Sequence, residues 1–146
     1  MEIKIEKMTI EDLENISKLL TTEFDDFWNY NILKQELQSD TSHLFVSKNE
    51  QEDIVGFVGV QFVLDEANIT NIVTKKNCRN QGIGSALLKY IIEFSKNNNM
   101  SSITLEVNEN NKYAIKLYEK FGFKTIGLRK NYYNGTENAI IMTLKI

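Results

Sequence analysis

The most constraining feature of this chain is a change of period at Gly82. Ile69 to Thr74 reads as an extended strand, and beyond Gly82 the residues Ile83, Ala86, Leu87, Tyr90, Ile91 and Phe94 recur at i, i+3, i+4, i+7, i+8 and i+11. That spacing lays one apolar stripe along a helix, which Asn97, Asn98 and Asn99 bring to an end. Ser102 to Val107 then alternates again, with Ile103, Leu105 and Val107 on one side and Thr104 and Glu106 on the other. A strand, a glycine-containing turn, a long amphipathic helix and another strand need a sheet with a helix packed on its face.

The remaining segments extend the same alternation. Glu2 to Met8 reads as a strand, and Thr9 starts a helix with Glu11 and Asp12 in its first turn, where the helix dipole favours acids. Leu13, Ile16, Leu19 and Leu20 form its apolar stripe, and a second helix is expected from about Asn31 to Gln38. Strands follow at His43 to Ser47 and Ile54 to Val63 around a polar turn, Asn49 to Asp53, with a further turn at Asp65 to Asn68. Asn111 to Phe121 is helical, with Gly122 as a left-handed stop. Two closing strands, about Phe123 to Leu128 and Ala139 to Ile146, flank an Asn-Gly turn at Asn134 and Gly135. The order β-α-α-β-β-β-α-β-α-β-β implies an α/β fold with a central mixed sheet flanked by helices. With 146 residues and no repeat, low-complexity tract or Gly/Ser linker, one domain over 1–146 is expected.

Composition removes much chemistry. One cysteine, Cys78, cannot form an internal disulfide, and with the single histidine, His43, it cannot build a Cys/His zinc site. No metal is expected, and a histidine-dependent triad has only His43 to draw on. A formal net charge of −3 provides no bulk field for phosphate backbones, so nucleic acid is not an expected partner. No run approaches the roughly 20 apolar residues of a membrane helix, and the N-terminus alternates charged with apolar residues, unlike a signal peptide. A soluble, cytoplasmic protein with no membrane partner is the expectation. Only two arginines, Arg79 and Arg129, stand among many lysines.

Arg79-Asn80-Gln81-Gly82-Ile83-Gly84-Ser85 joins the strand to the helix. Its glycines allow positive φ and close backbone approach, so successive N–H groups can converge at the positive end of the helix, a geometry suited to a diphosphate. A plain strand-to-helix turn would read the same way. The loop is neither a Walker loop nor a Rossmann G-x-G-x-x-G.

This loop, with Leu64-Asp65-Glu66-Ala67, Asn71-Ile72, Leu105-Glu106-Val107-Asn108, Asn111, Ala114 to Phe123, Arg129 to Tyr133 and Ala139 to Met142, resembles the GCN5-related N-acetyltransferase (GNAT) superfamily. Within it the likeness is to the bacterial branch that acetylates the N-terminal alanine of a small-subunit ribosomal protein, the RimI type. It covers most of the chain from Val55 onward and departs at Phe27-Trp28, where that branch carries Pro-Trp. The resemblance implies acetyl-CoA beside a splayed strand, its pantetheine arm on the backbone of Ile72, Val73 and Thr74 and its diphosphate on Arg79, Asn80, Gln81, Gly82, Ile83, Gly84 and Ser85. Asn111 matches a cofactor-contacting asparagine, Glu106 the general base, and Tyr118 the general acid, which also contacts the cofactor. A protein or peptide N-terminus is the implied partner.

The residue types suit that chemistry. An α-amine has a pKa of about 7.7–8.0 against about 10.4 for lysine, so a carboxylate can accept its proton, while a phenol near 10 stays protonated and can donate to a departing thiolate. Read singly, Glu106 is a solvated strand residue and Tyr118 a core tyrosine. Trp28 and Tyr30, beside Phe27, and the pair Tyr132-Tyr133 either border the acceptor or pack as aromatic loops. Asp65-Glu66 either attracts a cationic acceptor or is a solvated turn, and Arg129-Lys130 either meets an acidic stretch of substrate or ends a strand. Cys78 reads as an inert thiol and His43 as the start of a strand. An acetyltransferase of small amines such as polyamines or amino sugars, and a non-catalytic acyl-CoA sensor, are the alternatives.

Overall fold

The computed structural model describes residues 2–24, 29–133 and 135–146. Strand β1 (Lys4–Lys7) leads to helix α1 (Ile10–Ile16), a π-helical turn (Leu20–Phe24), helix α2 (Tyr30–Gln38) and the strands β2 (Ser42–Lys48), β3 (Ile54–Val63) and β4 (Glu66–Thr74). A 3-10 turn (Lys76–Cys78), helix α3 (Ile83–Asn97), strand β5 (Ser102–Asn108), helix α4 (Lys112–Lys120) and strands β6 (Lys124–Tyr133) and β7 (Glu137–Lys145) complete the order. The seven strands form one sheet, β1-β2-β3-β4-β5-β7-β6. Among the described residues only β4 and β5 run parallel, joined by the crossover through α3; the other neighbours are antiparallel.

Each helix buries its stripe on one face of the sheet. Ile83, Leu87, Leu88 and Ile91 of α3 pack with Val58, Val60, Ala67, Ile103 and Leu105, and Tyr118 joins them from α4. Leu13 and Ile16 of α1 and Leu33 of α2 pack with Leu44, Val46 and Phe57. The central strand β3 is therefore covered on both faces, and its first seven residues are all buried. Thr9 caps α1 in a reciprocal box with Asp12, whose carboxylate also meets Lys48 Nζ at 3.0 Å. No helix among the described residues is long and apolar enough to cross a membrane.

Two sequence boundaries are corrected. Strand β4 begins at Glu66, inside the expected turn Asp65 to Asn68, because the chain reverses at Leu64 with φ 56° and Ala67 is already paired between Phe62 and Ile103. Strand β6 runs past Leu128 to Tyr133 through an irregularity at Asn131, whose φ is 54° and whose N–H donates to Asn138 Oδ1 at 2.9 Å. The irregularity breaks the alternation that a sequence pattern can register.

The opening that matters lies between β4 and β5. They pair at Glu66–Ser102, Ala67–Ile103 and Asn68–Thr104 and then diverge. From Ile69 to Thr74, β4 keeps its ladder to β3 and turns its other edge to the gap, while β5 keeps its ladder to β7. Across from Thr70, β3 and β4 slip register by one residue beside Gly59. There a side chain has no room: a Cβ on Gly59 would lie 2.6 Å from Leu44 Cδ2 and 2.7 Å from Asn71 Nδ2.

Candidate active site

Two clefts open into that gap and meet. The smaller, about 320 Å³, is lined by Ile72, Val73 and Thr74 of β4, Arg79, Asn80, Gly82, Ile83 and Gly84 of the loop, and Asn111, Tyr113, Ala114, Leu117 and Tyr118 at α4. The larger, about 960 Å³, runs between β4 and β5 and takes in Glu36, Glu106, Asn108, Tyr132 and Tyr133. Ile72, Asn111 and Tyr118 line both.

The loop has the backbone an anion would need. Asn80 and Gly82 adopt left-handed φ values of 64° and 81°, and Gly82 caps α3 with no side-chain acceptor for the first-turn amides. A long helix thus begins with its orphan N–H donors and positive dipole end at the small cleft. A Cβ on Gly84 would lie 3.5 Å from Leu117 Cδ2, across the same cleft. Beside it, the unpaired edge of β4 offers main-chain donors and acceptors to an extended, amide-bearing chain, as a missing strand would receive them. A pantetheine arm followed by a diphosphate fits these two features in that order. Gln81 is exposed in the loop, and Ser85 lies half-buried in the first turn of α3; neither lines the cleft wall. Asn111 caps α4, its Oδ1 accepting from the Ala114 N–H at 3.1 Å.

A phenol stands at the junction and a carboxylate in the large cleft that leads to it. Glu106 projects from β5, Oε1 3.2 Å from Arg129 Nη2, Oε2 buried without a hydrogen-bond partner among the described residues. Arg129 in turn stacks over the Tyr132 ring at 4.8 Å. Tyr118 is 6% exposed, its ring 5.9 Å from that of Phe123. Burial, with the neighbouring Tyr133 phenol, pushes its hydroxyl well above the ordinary phenol value. Tyr133 is raised as well, by burial, by Tyr132 and by the charge of Glu106. The structure therefore gathers Glu106, Tyr118, Tyr132 and Tyr133 at one place.

Other sequence candidates separate from it. Tyr30 opens α2 and packs against the core beneath that helix, with Lys34 Nζ 5.7 Å from its ring, and does not line the large cleft. Phe27, Trp28 and Asn134 lie outside the described residues. Cys78 packs against the core with Sγ 3.2 Å from Asn77 Oδ1, and His43 sits among the rings of Phe62 and Phe94. Asp65 accepts from the Ser101 hydroxyl at 2.7 Å, which accounts for it within the turn. Sequence reading missed Glu36 as a cleft residue, because nothing in α2 marks which of its polar residues faces a gap between strands of another part of the chain.

A mixed sheet split at its parallel pair, with a glycine loop at one mouth and a carboxylate and a phenol lining the same cleft, defines an acyl-transfer fold. The chain belongs to the Acetyltransferase (GNAT) family, whose pattern it matches over residues 10–123, and is an N-acetyltransferase. Acetyl-CoA is the acetyl donor of that family. A [ribosomal protein bS18]-alanine N-acetyltransferase of Haemophilus influenzae is 38% identical over 119 residues, 79% of this chain and 80% of that one. The crystal structure of the ribosomal-protein-S18-alanine N-acetyltransferase from Escherichia coli superposes with a TM-score of 0.90 at 31% identity, covering 99% of this chain and 94% of the other. Arabidopsis thaliana NAA60 in complex with acetyl-CoA shares the fold, with a TM-score of 0.86 at 17% identity over 99% of each chain.

Proposed function

We propose that this chain transfers the acetyl group of acetyl-CoA to the N-terminal α-amine of a protein, specifically the N-terminal alanine of a small-subunit ribosomal protein, in the cytoplasm. The observation that carries this reading is the meeting of the two clefts at Tyr118, with Glu106 on the acceptor side. The names of the bacterial relatives support the acceptor.

Transfer is direct, within a ternary complex. The small cleft holds the acetyl-CoA co-substrate, with Ile72, Val73 and Thr74 along the pantetheine arm, Arg79 to Ser85 at the diphosphate and Asn111 beside it; it supplies the thioester. The acceptor enters through the large cleft between Glu106 and the pair Tyr132-Tyr133. Glu106, directly or through one water, takes a proton from the ammonium, whose ordinary pKa of about 7.7–8.0 makes that transfer easy near neutrality. The freed nitrogen forms its bond to the thioester carbonyl carbon, the carbon–sulfur bond breaks, Tyr118 gives its proton to the departing sulfur, and the surplus proton on the new amide nitrogen passes through solvent to restore the Tyr118 hydroxyl. Burial keeps the Tyr118 hydroxyl protonated for that donation.

Thiol release from acetyl-CoA, measured in parallel with an Ala-starting peptide, an N-blocked lysine peptide and a polyamine, tests the proposal. Selective turnover of the Ala-starting peptide is the expected result. Preference for the polyamine would replace this reading with small-amine acetylation, and cofactor binding without turnover of any acceptor would replace it with a sensor.

A further inference from the structure

Strand β5 ends at Asn108, opposite Ala139, and the hairpin of β6 and β7 runs on past it. Beyond Asn131 that arm has one ladder pair among the described residues, Tyr133 with Glu137, because the register of β6 on β7 breaks after Arg129. A two-stranded ribbon with so short a ladder has little hold of its own. Yet it carries Tyr132 and Tyr133, which line the large cleft.

Side chains supply the hold. Asn108 Nδ2 donates to Glu137 Oε2 at 2.6 Å, bridging the end of β5 and the arm. Its Oδ1 accepts from the Asn110 N–H at 2.9 Å, inside the turn whose next residue, Asn111, caps α4 at the small cleft. One amide therefore ties the acceptor-side arm to the cofactor-side turn, with one polar atom committed to each. A second link stands beside it: Asn138 Nδ2 donates to Glu109 Oε2 at 3.2 Å, and Asn138 Oδ1 accepts from the Asn131 N–H at 2.9 Å. That link secures the hairpin at Asn131, before the tyrosines, whereas Glu137 stands across from Tyr133 itself. Tyr133 in turn is close enough to act on the Tyr118 hydroxyl and to feel the charge of Glu106. A displaced arm would widen the cleft on the side of both.

We infer that Glu137, through Asn108, is a positioning residue that sets the Tyr132-Tyr133 arm against the acceptor. The inference rests on the reading above in which the acceptor passes that tyrosine pair. Removing Glu137 leaves the bond of Asn108 to Asn110 in place, so the loss falls on the acceptor and spares the cofactor side.

Steady-state kinetics with an Ala-starting peptide, beside calorimetric titration of acetyl-CoA, test it on Glu137→Ala, Glu137→Gln, Asn108→Ala and the double alanine variant. Glu137→Ala should raise the acceptor KM about tenfold, the scale of one charge-assisted hydrogen bond, with kcat and acetyl-CoA affinity within about twofold of the wild type. Glu137→Gln keeps an oxygen for the Asn108 amide and should recover most of that KM. The double variant should raise KM no further than Asn108→Ala alone, since both cut the same link. An unchanged KM in Glu137→Ala, or a fall in kcat and acetyl-CoA affinity with KM unmoved, overturns the inference and leaves N-terminal acetylation standing. A Glu137→Gln variant as impaired as Glu137→Ala, or additive effects in the double variant, does the same. Turnover of no Ala-starting peptide by the wild type overturns both readings.

Discussion

Arg129 Nη2 stands 3.2 Å from Glu106 Oε1, so the carboxylate proposed to receive the acceptor's proton already holds a cation. The second carboxylate oxygen is buried and unbonded among the described residues, and is the one left for an incoming ammonium or water. Arg129 is half exposed and rests on Tyr132, which makes the ion pair an orienting contact more than a source of stability. Removing the carboxylate and removing its partner should accordingly have different kinetic signatures.

Glu106→Gln should lower kcat by roughly a hundredfold or more, the contribution expected of a general base, with acetyl-CoA affinity nearly unchanged. Arg129→Gln should act mainly on the acceptor KM and cost about tenfold or less in kcat/KM, an exposed pair being worth about 1 kcal/mol at most. Steady-state kinetics with varied acceptor, beside calorimetric titration of acetyl-CoA, measures both. Full activity in Glu106→Gln would remove it from the chemistry.

Tyr118→Phe should lower kcat by roughly a hundredfold or more through loss of the proton donor. It also has a signature in stability. The folded phenol is raised above its ordinary 10.0, so the folded state holds that proton more tightly than the unfolded chain does. Its contribution is complete below pH about 10 and is lost as pH climbs from there toward the folded value. Thermal melts of Tyr118→Phe should therefore show a shallower loss of Tm above pH about 10 than the wild type.

Glu36→Gln should melt higher than the wild type at pH 7. Burial raises the carboxyl, so its stabilising contribution is present below the ordinary 4.5 and is lost as pH rises through the folded value. The neutral amide escapes that loss, and the difference between the two melts should close as pH falls below about 4.5.

The loop glycines should separate stability from binding. Gly82→Ala meets no atom within 4 Å, but at φ 81° the alanine should cost about 1 kcal/mol and weaken acetyl-CoA binding as the loop shifts. Gly84→Ala has ordinary helical surroundings and should raise stability by up to about 1 kcal/mol. Its methyl faces Leu117 across the small cleft, so binding should still weaken. Melting curves and titration of acetyl-CoA on both variants check the pattern.

Gly59→Ala should destabilise the fold by about 1–3 kcal/mol, because its Cβ would lie within 2.8 Å of Leu44, Asn71 and Thr70. Denaturant unfolding of Gly59→Ala beside the wild type measures the loss.

The sequence by itself determined the elements and the chemistry along each. The helical period after Gly82, the alternation of Ser102 to Val107 and the stop at Gly122 are local patterns, and α3, β5 and the end of α4 lie where they indicate. Glu106 and Tyr118 stood out as candidates because each sits in a contiguous motif, and the fold lines one cleft with both. Tertiary structure alone decided where β4 and β5 part, how far β6 runs beyond Leu128 and which polar residues look into the gap. The ion pair of Arg129 with Glu106 and the contact of Asn71 with Glu36 join residues 23 and 35 positions apart. The physical reason is that side-chain period reports only which face of its own element a residue occupies. What stands opposite that face depends on strand order, register slips and the divergence of one parallel pair, which no local period encodes.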